Sequence, residues 1–146
     1  MIELKKDIQE DEITRNTLKE NTLKHIQDVK NGMEFISDEI RASGYIHDHT
    51  KVSNFDEFYE ALSSGKIDSS DWWKMHMKKE RHHLNKQQGV PDDVNLIDVL
   101  EQVVDSVMAG LSRPGDFYEI KLNDELFQKA YKNTVELLKK NIKIVE

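Results

Sequence analysis

Cysteine is missing from all 146 residues, so a disulfide framework, a thiolate zinc site and a cysteine nucleophile are excluded together. Any metal must therefore sit on nitrogen and oxygen donors. Proline occurs twice and glycine six times, which leaves few breaks and favours long helices. No apolar run approaches the ~20 residues of a membrane-spanning helix. The opening Met1-Ile-Glu-Leu-Lys-Lys-Asp also lacks the apolar stretch of a signal peptide, so no membrane partner and a cytoplasmic location are expected. Positive charge is short as well. With 21 Lys and Arg against 28 Asp and Glu, the net charge is -7, which argues against broad binding to duplex nucleic acid, where phosphate neutralisation supplies the affinity. The length suits one domain with its own core.

What the chain does have is apolar spacing of three and four. Leu18, Ile26, Val29, Met33, Ile36 and Ile40 stripe a helix expected from about Ile13 to Ala42, ended by Ser43-Gly44. A short second helix is expected to carry His47-Asp48, and Ser53 with Asp56 resembles a capping box for a third over Phe55 to Leu62. Ser69 or Ser70 opens a histidine-rich helix expected to run to about Gln88, where Gly89-Val90-Pro91 closes it. Leu96, Leu100, Val103, Val107 and Leu111 mark the core face of the next, which Arg113-Pro114-Gly115 terminates. Asn123 caps the last.

Imidazoles and carboxylates punctuate these helices in a suggestive order. His25, His47-Asp48, His76, His82-His83 and Asp105 offer neutral nitrogens and hard anionic oxygens, the donors of an open divalent-cation site. Each has a blander reading: His25 borders the apolar stripe, His47-Asp48 suits a cap, and Asp105 belongs to an acidic face with Asp98 and Glu101. On a continuous helix His76, Glu80 and His83 share one face and His82 points a quarter turn away, which leaves His82 a ligand, a proton donor or a surface residue. Lys74, Lys78, Lys79, Arg81 and Lys86 concentrate positive charge in the same stretch.

The order His25, His47-Asp48, Asp105 resembles the HD superfamily of metal-dependent phosphohydrolases, and Lys51 matches the lysine that often follows the pair. His76 and His82-His83 resemble the added ligands of its binuclear members, including cyclic-dinucleotide phosphodiesterases. Here, however, His76 and His82 stand close together in sequence and the Gly-Tyr-Pro signature is absent. The closer likeness is to small stand-alone HD-like proteins, many phage-encoded, with His-Asp-x-x-Lys followed by a Trp, His and His-His helix. The resemblance covers roughly residues 18 to 112.

It implies an all-α, single-domain HD-like bundle of about six helices over residues 1–146. One or two divalent ions (Mn, Fe, Co, Ni, Zn or Mg) are implied, held by His25, His47, Asp48 and Asp105 and by His76, His83 and His82, with Asp48 bridging. The expected activity is a phosphatase or phosphodiesterase acting on a small phosphorylated substrate, most plausibly a nucleotide. Lys51, Lys79 and Arg81 would bind the phosphoryl group, while Asp48, Lys51 and Glu80 would serve the chemistry. A di-iron oxygenase of the same scaffold and a catalytically silent metal-containing binding protein are the alternatives. A homo-oligomer is left open, and for a phage-encoded chain the location would be the host cytoplasm.

Overall fold

The computed structural model describes residues 1–84 and 90–146. They are mostly helical, with one short two-stranded sheet. Strand β1 (Ile2–Lys5) leads to α1 (Arg15–Ile46), α2 (His49–Ser53), α3 (Phe55–Ser63), a 3-10 turn at Ile67–Ser69 and α4 (Asp71–Lys79). Helices α5 (Leu96–Ser112) and α6 (Asp124–Lys140) and strand β2 (Ile142–Val145) complete the order. The strands lie outside the helical expectation. They pair in parallel, Ile2 opposite Ile142, and so bring the two ends of the chain together.

The helix starts follow from capping oxygens. Thr14 and Thr17 form a reciprocal box at the start of α1, Ser70 Oγ accepts from Trp73 N in α4, and Asn123 Oδ1 accepts from Leu126 N in α6. Asn95 caps α5 in a box with Asp98. Helix α3 starts without the expected box, because its cap position is Asn54 and makes no side-chain bond there.

Two expected helix ends move, and both moves matter. Helix α1 continues through Ser43-Gly44 to Ile46, held there by Ser43 Oγ donating to Glu101. It stops at His47, and Asp48 takes the left-handed conformation with φ 52°, the one non-glycine residue with positive φ among the described residues. His47-Asp48 therefore forms the hinge between two helices, not part of a second helix. Asp accepts this conformation more readily than most residues. Helix α4 ends at Lys79, well short of Gln88. Side-chain anchors override the helical pattern: the Glu80 carboxylate is drawn into bonds with Thr50, and Arg81 is clamped by Asp98 and Asp93. The expected stretch over residues 85–88, with Gly89, lies outside the described residues.

Leu84, Val94, Val99, Leu126 and Ala130 form a small buried cluster between α5, α6 and the segment after α4. Helix α1 has no fully buried residue along its length. Its C-terminal half packs on α5 and its N-terminal half carries β1. Helix α4 packs with α2 and α3, α5 packs with α6, and the long α1 lies against α5.

Candidate metal centre

The hinge solves a geometric problem. Adjacent residues of a helix diverge by about 100°, yet the left-handed turn at Asp48 lets both side chains reach one point, with His47 Nε2 3.5 Å from Asp48 Oδ2. Helix α5 brings Asp105 to the same place, 3.5 Å from His47 Nε2. His82, freed from the helix by the end of α4, sets its Nε2 3.5 Å from Asp48 Oδ1 and 3.7 Å from Asp105 Oδ2. On the other side of Asp48, His76 Nε2 lies 3.6 Å from Oδ1, and His83 Nε2 is 2.9 Å from His76 Nε2.

Three donor groups result: His47, His82 and Asp105; Asp48, His76 and His83; and Asp48, Glu80 and His82. The nitrogen-to-oxygen separations are long for hydrogen bonds and suit donors that each stand ~2.1 Å from a shared ion. Asp48 Oδ1 and His82 Nε2 are buried and have no hydrogen-bond partner among the described residues, the kind of orphan pair a cation would satisfy. The residues therefore fit a divalent ion held by nitrogen and oxygen.

The imidazoles are oriented from behind. Glu101, one helical turn before Asp105, lies 2.8 Å from His47 Nδ1. The same oxygen lies 2.9 Å from His82 Nδ1, although out of line for a hydrogen bond. Buried Thr50 donates its hydroxyl to Glu80 at 2.6 Å and lies 2.7 Å from His76 Nδ1. A hydroxyl has one proton, so Thr50 must accept from His76 Nδ1–H, which leaves the Nε2 lone pair facing Asp48. Trp72 and Trp73 stack against His76 at 4.8 and 5.3 Å and hold its ring plane.

Charge around the centre is dominated by carboxylates. Burial pushes Glu101 and Asp48 up, but bonds from His47 and Ser43 together with the adjacent His82 ring in the first case, and the bond from Lys51 in the second, outweigh it and leave both ionised. The Asp105 carboxylate, then that of Glu101, raise His47 to about 10, whereas burial, then charge on His82 and His76, lowers His83 to about 4. These shifts set a pH prediction. In apo-protein His47 holds its proton below about pH 10, so an incoming cation must displace it. We expect metal binding at pH 7 to release about one proton per ion at this donor group, and affinity to rise with pH across the neutral range. Calorimetry in buffers of different ionisation enthalpy measures the release, and a buffer-independent heat would contradict it.

The structure separates the expected site residues. His47, Asp48, His76, His82, His83 and Asp105 come together. His25 does not. It stands exposed on α1, 22 positions before His47 and so about 33 Å along the helix axis, and His82 occupies the donor group it was expected to fill. Arg81, expected to bind substrate, is instead a structural residue: its Nε and Nη2 donate to Asp98 at 2.8 and 2.9 Å, and Nη1 to Asp93 at 2.9 Å. Lys79 is exposed at the edge of a separate cleft with Glu39, His49 and Glu80. Lys51 remains at the centre, its ammonium on Asp48 Oδ2 and 5.9 Å from the Phe58 ring centroid. Glu80 is buried and works through Thr50, with His49 Nδ1 3.1 Å from its carboxylate.

Sequence reasoning missed Glu101, Thr50 and Ser43 as supports. For Glu101 a signal existed in its i, i+4 relation to Asp105 on an otherwise apolar helix. Beside the centre, Ile40, Leu100, Val104 and Met108 wall a groove of about 300 Å³ between α1 and α5, floored by His47, Glu101 and Asp105. Among the described residues no lysine or arginine lines it. No protein-family model, curated protein or solved structure matches the chain.

Proposed function

We propose that the protein is a metal-dependent phosphohydrolase with an HD-like centre, acting on a small phosphorylated molecule of the nucleotide class. One observation carries the reading: imidazoles from three segments turn Nε2 atoms toward Asp48 and Asp105, and oxygens stand behind their Nδ1 atoms. Bound by these residues, a divalent ion would supply Lewis acidity and would lower the pKa of water from about 16 towards 7. The chain's own residues determine the rest. Asp48 belongs to two of the donor groups and faces the third through His47, so it is the carboxylate that would join two ions. Glu101 holds His47, and Glu80 holds His76 through Thr50, in the tautomers that offer Nε2. Lys51 is placed to hold a phosphoryl oxygen beside Asp48.

Mn²⁺- or Co²⁺-loaded protein assayed on nucleotides and an aryl phosphate tests the proposal. Activity is expected, Asp105→Ala should lose it together with metal, and Lys51→Ala should lower it about a hundredfold with metal retained. The apolar walls of the α1–α5 groove, without a lysine or arginine among the described residues, favour one other reading, an oxygenase with two irons and an uncharged organic substrate. That reading replaces the first where no phosphoester turns over while iron-loaded protein consumes oxygen with such a substrate.

A further inference from the structure

We infer that the protein assembles as a two-fold, antiparallel dimer of identical chains, joined along the exposed seam of α1 and its continuation onto α5. The solvent-accessible surface is the first argument. It measures 11141 Å² for 17.1 kDa, whereas a compact monomer of that mass exposes about 7,700 Å². The excess of about 3,400 Å² covers the ~1,000–2,500 Å² that each partner removes from solvent in an obligate homodimer.

The second argument is the pattern of what is exposed. Ile26, Val29, Met33, Ile36 and Ile40 follow spacings of three, four, three and four, the period of a coiled-coil seam. Ile26, Val29 and Met33 keep 48, 50 and 64% of their surface, so the chain's own core does not account for the stripe. At the end of the seam Ile40 faces Leu100, Val104 and Met108 of α5 across the groove, which makes the apolar surface continuous.

Charge selects a second copy, and its direction. Residues 15–30 of α1 carry four Arg or Lys against two Asp or Glu, and residues 31–46 carry one against three. An antiparallel pair sets the cationic half of each helix beside the anionic half of the other, whereas a parallel pair opposes like with like. Gly32 supports the same crossing. A mid-helix glycine costs about 1 kcal/mol relative to alanine, and a side chain there would meet nothing within 4 Å in the single chain, so the monomer does not need it. Close approach of a second backbone at the middle of the seam does. The N-terminal half of one α1 then lies along the mouth of the other chain's groove and closes it over His47 and Asp105.

Sedimentation equilibrium of the full chain at micromolar concentration should give twice 17.1 kDa. Val29→Glu with Met33→Glu should give the monomer with unchanged helical circular dichroism and unchanged metal stoichiometry, since both residues are solvent-exposed and lie away from the metal centre. The chain's lack of cysteine allows a directional test. Met33→Cys, at the seam's midpoint and near the two-fold axis, should oxidise to a linked dimer, while Leu18→Cys should not. A wild-type chain that stays monomeric into the hundreds of micromolar, or a glutamate variant that stays dimeric, overturns the proposal. Equal cross-linking through residue 18 overturns the antiparallel arrangement. A foreign partner captured by monomeric wild-type protein would also overturn it.

Discussion

Asp48→Ala is expected to strip metal from the whole centre, and His82→Ala to come close to doing so, while His25→Ala leaves stoichiometry untouched. Elemental analysis of purified protein and calorimetric titration with Mn²⁺, Co²⁺ or Zn²⁺ measure all three. Asp48 contributes to two donor groups and lies 3.5 Å from His47 in the third, so its removal takes a carboxylate out of two groups and from beside the remaining one. His82 belongs to two groups and His83 to one. On a continuous helix the ranking would be the reverse, with His83 aligned with His76 and His82 turned aside. His82 dominates because α4 ends at Lys79 and the following residues follow their own path. Retention of metal by His82→Ala with loss in His83→Ala would sink the arrangement described for the centre, and loss in His25→Ala would refute the placing of His25 outside it.

Asp98→Ala is expected to be among the most destabilising single changes away from the centre, by about 3 kcal/mol, because removing one partner strands a partly buried charge. The Asp98 carboxylate is buried and receives two bonds from Arg81 and one from Asn95 N. Its loss breaks the box that starts α5 as well as the anchor that bends the chain after α4. Arg81→Ala should cost less, since Asp98 keeps its bond to Asn95 and Arg81 is more exposed than its partner. Urea denaturation followed at 222 nm compares the two. Equal midpoints for Asp98→Ala and the parent would contradict the assignment of Arg81 and Asp98 as a structural clamp.

Much of this was legible in the chain. Helices α5 and α6 were readable in type and nearly in extent, because apolar periodicity, an asparagine cap and Arg113-Pro114-Gly115 all agree. Six of the seven expected metal ligands come together. What could not be read were the places where a tertiary bond overrides a local preference. Ser43-Gly44 looks like a helix end, but Ser43 is tied to Glu101 and the helix runs on to Ile46. The histidine segment looks like about five helical turns, but Glu80 and Arg81 find partners far away in sequence and pull the chain out of the helix. His25 illustrates the opposite error: the right residue type in the right order, on a helix too straight and too long to return it to the centre.

The pairing of β1 with β2 makes the two ends of the chain a gauge of the whole. Closing a loop of about 140 residues costs on the order of 4 kcal/mol in chain entropy, and an isolated pair of short strands is marginal at best in water. Four residues a side cannot hold that loop shut unaided. They persist because α1 carries one strand and α6 runs directly into the other, with Ile2 N donating to Asn141 O at the junction. Amide exchange in Ile2–Lys5 is therefore expected to be slow only while the helices between the two strands hold their places, which hydrogen–deuterium exchange measures.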